Sequence, residues 1–294
     1  MTVNRASPGQ DISISFELFP PKTAEQMPAF DAAVERLTEA EPAYFSVTYG
    51  AGGSTRDRTR AVVDRVAART GLPVAHHLTC VGATRAEMDD LARGLWRVGV
   101  RKLVALRGDP PDGAAFVPAP DGYAYAADLV AGLRKVADFD IAVGAYPETH
   151  PEAESAEADI DNLKRKLDAG AREAITQYCF DTDTVLRFVD RARAAGVDAP
   201  IVPGIMPVSH FGGLKRFSAM CGATIPQWMA DKFDGLDAQP ARRAEVAAEV
   251  ALEQCRRLAA EGLTEFHIYT LNKPTVSLAV CRGLGLSVGR EDAA

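Results

Sequence analysis

The sequence of 294 residues contains no long, uninterrupted apolar run. A helix that crosses a membrane needs roughly 18 or more consecutive apolar residues, and no stretch of this chain approaches that length. The first residues, MTVNRASPGQD, also lack the apolar segment of a secretory signal peptide. We therefore expect no membrane partner and a cytoplasmic location.

Paired cysteines and clustered positive charge are also missing. The five cysteines are far apart and none belongs to a CxxC pair, so neither a disulfide framework nor a zinc site is indicated. Lysine and arginine total 33 against 40 acidic residues, which gives a net charge of −7. Without a basic tail or an arginine-rich run, the chain is not expected to bind nucleic acid.

What the sequence does contain is a regular alternation of two patterns. Short β-branched and aromatic runs alternate with longer amphipathic stretches. The predicted strands are 12–19, 43–49, 73–79, 101–107, 140–146, 173–179, 199–206 and 264–271. The predicted helices include 26–40, 57–70, 84–98, 125–138, 157–170 and 182–195.

Strands and helices in this order favour a (β/α)₈ TIM barrel, an α/β fold, built as a single domain over residues 1–294. Residues 1–10 are expected to form a flexible N-terminal tail. The segment 207–262 is long enough for an extra helix between the last two predicted strands. A doubly wound open sheet is the alternative.

In a barrel, functional residues lie at the carboxyl ends of the strands. Polar or aromatic side chains occupy most of these predicted ends: Glu17, Thr48, Tyr49, His77, Thr79, Arg107, Asp109, Tyr146, Glu148, Gln177 and Tyr269. Each alone is compatible with an ordinary strand end that meets water. Together they would line one mouth of the barrel.

Two local motifs resemble binding motifs but do not indicate a dinucleotide site or a metal site. The segment YGAGGST at 49–55 lacks the third glycine of a dinucleotide-binding fingerprint, so we interpret it as a tight turn before a helix. His76 and His77 lie on one strand, where alternation sends their rings to opposite faces. They cannot share a metal ion, and no metal site is expected.

The predicted helix 157–170 carries two stripes. Ile160, Leu163 and Leu167 have the spacing of a buried face, and Asp159, Asn162 and Lys166 repeat that spacing one position earlier. The polar stripe is either a solvated flank or, if it faces the barrel mouth, a binding surface. In the second case Arg165 and Lys166 would bind a diphosphate.

Nine motifs, in order, resemble the catalytic barrel of the methylenetetrahydrofolate reductase family. They are FELFPPK, FSVTYGAGGSTRDRT, HLTCVG, LVALRGDPP, YPETHPEA, NLKRKLDAGA, ITQYCFD, VPGIMPV and FHIYTLNK. The resemblance extends from about residue 11 to 287 and is closest to the short bacterial type, which lacks the S-adenosylmethionine-binding regulatory domain of eukaryotic members.

The resemblance implies a TIM barrel that binds FAD and reduces 5,10-methylenetetrahydrofolate to 5-methyltetrahydrofolate with NADH or NADPH, by a ping-pong mechanism. The resemblance also implies that the product supplies methyl groups for methionine synthesis. Family members are commonly homo-oligomers, so a homo-oligomer is expected here. The implied FAD contacts are Thr48, His77, Leu106, Arg107, Gly108, Asp109, Tyr125, Ala126, Tyr146, His150, Asp159, Asn162, Arg165 and Lys166. The implied folate contacts are Glu17, Asp109, Gln177, Phe217, Tyr269, Leu271 and Lys273.

Two positions depart from the family pattern. Gly213 stands where a glutamine that holds the substrate is expected, and Lys273 stands where some relatives have arginine. Lysine keeps the charge but loses the bidentate geometry of arginine.

Glu17 is the candidate general acid, because Phe16, Phe19 and the following prolines are expected to desolvate its carboxyl group and favour the protonated form. Asp109 is the second catalytic candidate, as an acceptor for the pterin amino group. The competing interpretation is a folate- or flavin-binding barrel that does not catalyse.

Overall fold

The computed structural model describes residues 11–49, 56–109, 116–208 and 210–289. Within these ranges the strands are β1 (Ser13–Leu18), β2 (Tyr44–Val47), β3 (Val74–Thr79), β4 (Lys102–Leu106), β5 (Asp140–Ala145), β6 (Glu173–Thr176), β7 (Ile201–Val202), β8 (Gly204–Ile205) and β9 (Glu265–Tyr269). The helices are α1 (Met27–Thr38), α2 (Arg56–Thr70), α3 (Arg85–Arg97), α4 (Ala126–Val136), α5 (Ala156–Asp168), α6 (Thr182–Ala194), α7 (Phe211–Cys221), α8 (Gln227–Phe233), α9 (Pro240–Ala260) and α10 (Pro274–Gly283).

All neighbouring strands are parallel, in the order β7-β6-β5-β4-β3-β2-β1-β9-β8. The predicted strand 199–206 is divided at Pro203, which has no amide hydrogen to donate to a neighbouring strand. Its first part pairs with β6 and its second part with β9, so one continuous segment joins both edges of the sheet. The sheet therefore closes into the predicted TIM barrel, and the open-sheet alternative is wrong.

Alternation along the strands separates two apolar layers. Side chains such as Phe16, Phe45 and Leu78 point outward and pack under the helices. Side chains such as Tyr44 and Val104 point inward and fill the barrel interior. Adjacent residues of one strand therefore face different surroundings, which matters for the candidate acid.

Side-chain caps fix where two of the barrel helices begin. The Thr84 side chain accepts from the Glu87 amide, while Glu87 accepts from the Thr84 amide, a capping box that starts α3. The Ser155 hydroxyl accepts from the Ala158 amide and starts α5.

Between β8 and β9 the chain forms three helices, α7 to α9, where the sequence predicted an extra helix. They have an apolar cluster of their own, in which the rings of Phe211 and Phe233 stack with centroids 5.2 Å apart. Tyr178, just after β6, belongs to the same cluster, so these helices are packed against the carboxyl end of the barrel.

Several predicted features lie outside the described residues. They are the N-terminal tail 1–10, the glycine turn 50–55, and part of the loop after β4. The single-domain organisation over 1–294 thus stays a prediction. Among the residues that are described, no helix has the length and apolar character required to cross a membrane.

Gly204, in the segment that closes the barrel, provides a test of this architecture. A Cβ atom at this position would lie 2.1 Å from the Thr176 carbonyl oxygen and 2.6 Å from the Tyr269 ring. We expect Gly204→Ala to lower the free energy of unfolding by about 1–3 kcal/mol or more, as overpacking does.

The matched control is Gly94→Ala in α3, where an added Cβ meets no atom within 4 Å. Alanine inside a helix is more stable than glycine by roughly 0.5–1 kcal/mol, so this variant should be stabilised. Urea unfolding midpoints of the two variants should move in opposite directions. Equal midpoints for Gly204→Ala and the parent protein would contradict the tight closure described here.

Candidate active site

A cavity of about 1170 Å³ opens at the carboxyl ends of β4 and β5, between α4 and α5. Most of the predicted FAD contacts line it: Leu106, Arg107, Gly108, Asp109, Tyr125, Ala126, Tyr146, His150, Asp159, Asn162, Arg165 and Lys166. Thr48 and His77 are not part of its lining. The cavity residues come from four consecutive elements, β4, α4, β5 and α5, and from the loops between them.

The polar stripe of α5 faces this cavity. Ile160 and Leu163 are buried in the outer apolar layer, while Asp159, Asn162 and Lys166 line the cavity, so the stripe is not merely a solvated flank. Lys166 donates through Nζ to the Gly144 carbonyl oxygen, and burial lowers the pKa of its ammonium to about 8. It is the kind of cation that an anionic ligand would stabilise.

Arg107 is the second cation of the cavity. Both of its terminal nitrogens donate to the Glu152 carboxylate, and Nη2 lies 3.4 Å from Asp109 Oδ1. Its guanidinium also lies 4.9 Å from the centre of the Phe116 ring. Asp109 itself is at the rim, with 88% of its side chain exposed.

The loop after β5 contributes two aromatic rings. Tyr146 and His150 meet edge to face with centroids 4.6 Å apart, and burial raises the pKa of Tyr146 to about 12. Burial also lowers the pKa of His150, whose Nδ1 accepts from the Glu152 amide. Both rings are therefore neutral at pH 7. Between them Thr149 has φ of +74°, a strained conformation for a β-branched residue that is common near functional sites.

The candidate acid lies inside the barrel, beyond this cavity. Glu17 is on β1, faces the interior and is 9% exposed. Its Oε2 lies 3.8 Å from Nε2 of His77 and 3.8 Å from Nε2 of His267. A buried carboxyl group between two imidazoles is suited to proton transfer.

The sequence-based reason for the burial of Glu17 is wrong in one respect. Phe16 is fully buried, but it packs against Phe45 in the outer layer, with ring centroids 6.0 Å apart. Successive residues of a strand point to opposite faces, so Phe16 cannot shield the carboxyl group of its neighbour. Phe19 is instead fixed by Asn272, whose side chain bonds both its amide and its carbonyl group.

His267 is a site residue that the sequence reasoning missed. Its Nδ1 lies 2.7 Å from the Ser15 hydroxyl and its Nε2 lies 3.2 Å from the Ser46 hydroxyl. The Tyr44 ring stacks beside it with centroids 6.0 Å apart. The signal was present in EFHIY, where alternation gives Phe266 and Ile268 to the outer layer and leaves a histidine facing inward.

His77 leaves a polar atom available to a ligand. Burial lowers the pKa of His77 to about 4, so the ring is neutral at pH 7 and forms no ion pair with Glu17. Its buried Nε2 has no hydrogen-bond partner among the described residues. Buried polar atoms without a partner are rare in native proteins. His76 points the other way, toward the Tyr49 ring, as alternation predicted.

The rings of Tyr269, Tyr178 and Phe217 form an aromatic wall on the other side of Glu17. Tyr269 and Phe217 are predicted folate contacts. Tyr269 donates to the Thr176 carbonyl oxygen, 2.8 Å away, and burial raises the pKa of Tyr269 well above its usual value. Tyr178 lies between Tyr269 and Phe217, with ring centroids 6.3 and 6.1 Å away. Phe217, on α7, is 40% exposed, and one face of its ring stacks on Tyr178.

The remaining predicted contacts surround this wall. The side-chain oxygen of Gln177 accepts from the Tyr178 amide, and Leu271 is an exposed residue with φ of +50° in the turn after β9. Lys273 precedes α10 and its amide donates to the Thr270 carbonyl oxygen. Gly213 lies one turn before Phe217 on α7, so the missing glutamine side chain would have shared the face of that ring.

The donor set suits an extended anionic cofactor with a flat ring. Three basic residues that could bind a diphosphate, Arg107, Arg165 and Lys166, line the cavity together with six acidic residues, and Arg107 is paired with one of them, Glu152. The cavity volume is in the range of sites that hold large cofactors. The buried Nε2 of His77, which has no hydrogen-bond partner among the described residues, is a further polar atom outside this lining. Among the described residues, no cluster of three or more His, Cys, Asp or Glu side chains could hold a metal ion.

Comparisons with known proteins agree with the sequence motifs. A family model described as methylenetetrahydrofolate reductase matches residues 2–285. The 5,10-methylenetetrahydrofolate reductases of Salmonella typhimurium and Escherichia coli are each 49% identical over 278 residues, which cover 95% of this chain and 92% of each relative. Methylenetetrahydrofolate reductase (NADH) 1 of Arabidopsis thaliana is 36% identical, over 93% of this chain and 48% of the plant protein.

A solved structure supports the fold. An uncharacterized protein from Clostridium thermocellum that binds two copies of 5-methyl-5,6,7,8-tetrahydrofolic acid matches with a TM-score of 0.67 and 16% identity, over 93% of this chain and 94% of that chain. At this identity the similarity concerns the fold alone. The family match and the bacterial relatives span nearly all of the sequence. The chain therefore belongs to the methylenetetrahydrofolate reductase family of oxidoreductases, which act on 5,10-methylenetetrahydrofolate.

Proposed function

We propose that the protein is a flavin-dependent enzyme that reduces 5,10-methylenetetrahydrofolate to 5-methyltetrahydrofolate with NADH or NADPH. The observation that carries the proposal is the position of Glu17, a buried carboxyl group between the aromatic wall and the barrel mouth where the large charged cavity opens. A cofactor in the cavity and a folate against the wall would both adjoin this acid. Such an arrangement suits a reaction that needs electrons and a proton at one carbon.

The cavity residues would hold FAD. Arg107, Arg165 and Lys166 are the candidates for its diphosphate, and the neutral Tyr146 and His150 offer a polar and aromatic surface. When bound, FAD supplies the transfer of two electrons between nicotinamide and folate. The residues of this chain bind it, orient it and exclude water from its reacting edge.

Glu17 would act as the general acid. The methylene carbon of the substrate bridges two nitrogens in a ring, and this ring must open to an iminium ion before the carbon can be reduced. Opening requires a proton on the departing nitrogen. Glu17 can donate it, because its carboxyl group is buried and next to His267, which Ser15 and Ser46 hold in place.

Asp109 and Phe217 would position the folate. Asp109 is exposed at the rim, where its carboxylate can accept hydrogen bonds from the pterin amino group and offset the charge of the iminium ion. Phe217 can stack on the aminobenzoate ring. Because both substrates would use one face of the cofactor, we expect ping-pong kinetics, and the product would supply methyl groups for methionine synthesis.

Two further expectations from the sequence, a cytoplasmic location and a homo-oligomeric state, stay predictions. The alternative function, a folate- or flavin-binding barrel without catalysis, is disfavoured by Glu17. Burial of a carboxyl group costs stability unless it is paired or used, and a binding module has no need of an acid. A protein that only binds ligands would gain by placing an apolar residue there.

Glu17→Gln tests the proposal by separating the half-reactions. The amide keeps the shape of the side chain but cannot donate the proton, so reoxidation of the reduced flavin by methylenetetrahydrofolate should slow by about 10²- to 10⁴-fold. Reduction of the flavin by NADH should change little, because it needs no acid. Stopped-flow absorbance of the flavin measures both rates.

The wild-type protein provides the baseline for this experiment. It should be yellow when purified with FAD, bleach with NADH and regain its colour with methylenetetrahydrofolate. The reductase assignment would be wrong if the protein binds no flavin, or if flavin reduced by NADH is not reoxidised by methylenetetrahydrofolate. An equal loss of both half-reactions in Glu17→Gln would make Glu17 a folding or cofactor residue.

Lys166→Met tests the cavity. Loss of one charged ligand should weaken FAD binding by roughly 10- to 100-fold, in line with about 1.5–3 kcal/mol for a hydrogen bond to a charged group. The pKa of Lys166 is lowered to about 8, so the side chain is charged below that pH and neutral above it. FAD affinity of the wild type should therefore fall as the pH rises from 7 to 9, and the variant should lack this fall.

Lys164→Met is the matched control on the same helix. Lys164 donates to the Ala195 carbonyl oxygen and is not part of the cavity lining. Fluorescence titration of FAD into the apoprotein should give a wild-type affinity and pH dependence for this variant. If both lysine variants weaken FAD equally, the α5 flank is not the binding surface.

A further inference from the structure

A single phenol group connects α7, the helix that carries Phe217, to the rim of the barrel. Tyr178 follows β6 directly and is almost completely buried. Its hydroxyl oxygen lies 3.0 Å from the Ser218 hydroxyl and 3.1 Å from the Cys221 thiol. Both partners belong to α7, one of them adjacent to Phe217 and the other one turn later.

The ring of Tyr178 also touches the aromatic wall. It stacks on Phe217 with an interplanar angle of 19° and meets Tyr269 edge to face at 74°. Its backbone amide donates to Gln177 Oε1, 3.0 Å away. Tyr178 thus contacts three of the side chains assigned to folate, although its own hydroxyl is directed at the helix and away from the mouth.

The first turn of α7 provides few side-chain contacts for Phe217. It contains Gly212 and Gly213, and glycine is the least favourable ordinary residue inside a helix after proline. Gly213, four residues before Phe217, has no side chain that could pack beside its ring. The ring is 40% exposed, so burial alone does not fix it either. Its position therefore depends on how α7 is held, by the buried Phe211 at its start and by the hydrogen bonds of Tyr178 to its C-terminal half.

We propose that Tyr178 is a positioning residue, whose hydroxyl fixes α7 and thereby places the Phe217 ring for folate. The inference rests on the proposed function, because it assigns Phe217 to the substrate. Burial raises the pKa of the Tyr178 phenol, so the hydroxyl keeps its proton and remains able to donate. Tyr178 itself touches no reacting atom in this arrangement.

Tyr178→Phe removes the hydroxyl and keeps the ring. We expect the KM for methylenetetrahydrofolate to rise by about three- to tenfold, because the variant loses the hydrogen bond to Ser218 and the contact with the Cys221 thiol. The rate of flavin reduction at saturating NADH should stay within about twofold of wild type, since the cavity and Glu17 are unchanged. Stopped-flow reoxidation at a series of folate concentrations measures the first quantity, and anaerobic reduction measures the second.

Tyr123→Phe is the matched control. The Tyr123 hydroxyl is likewise mostly buried and donates to Asp89 Oδ1, 2.7 Å away, but it contacts neither α7 nor the aromatic wall. This variant should lose stability without a change in the KM for folate. An increased KM in both variants would indicate a general loosening of the fold and overturn the inference.

Ser218→Ala and the double variant test whether Tyr178 acts through its hydrogen bond to Ser218. Ser218→Ala should raise the KM for folate, by no more than Tyr178→Phe does. The double variant should be no worse than Tyr178→Phe alone, because Tyr178→Phe already removes the bond to Ser218. Additive effects would overturn the assigned contact. Wild-type folate KM in Tyr178→Phe would overturn the inference and leave the reductase function standing. Wild-type protein that folate cannot reoxidise would overturn the proposed function, and the inference with it.

Discussion

Backbone hydrogen bonds between the first and last long strands decide the geometry of the whole site. β1 pairs with β9 and with β2, in a register that places Glu17 opposite Tyr269 on one side and Ser46 on the other. A shift by one residue would turn Glu17 outward under the helices and bring Phe16 into the barrel. The register thus gives the carboxyl group its imidazole and phenol neighbours.

The charged residues of the cavity and the aromatic rings of the wall belong to different parts of the barrel mouth. The cavity at β4, β5 and α5 is lined with charged residues of both signs and with two neutral polar rings, while the side formed by β6, β9 and α7 carries several aromatic rings. A charged cofactor and a flat, uncharged ring system favour these surfaces for different reasons: one gains paired charges and the other stacking. In the proposed function, Glu17 acts between these two surfaces.

Periodicity predicted the barrel, the faces of α5 and the opposite orientations of His76 and His77, because all three depend on spacing within a single element. It did not predict the environment of Glu17, since the neighbours of a side chain inside a barrel come from other strands at a register that one segment does not encode. The same holds for His267 and Tyr178. In the sequence each looks like an ordinary strand or loop residue, because the side chains that it contacts come from distant segments.

The two surfaces also differ in how far apart their parts lie in the sequence. The residues that line the cavity fall between Ala105 and Lys166, within four consecutive elements. The surroundings of Glu17 combine the first strand with His267 and Tyr269 of the last. During synthesis the cofactor side can therefore begin to assemble while the ribosome is still adding the C-terminal third. The acid side has to wait for the final strand, so a chain that stops short of β9 has no complete proton donor however well its earlier part folds.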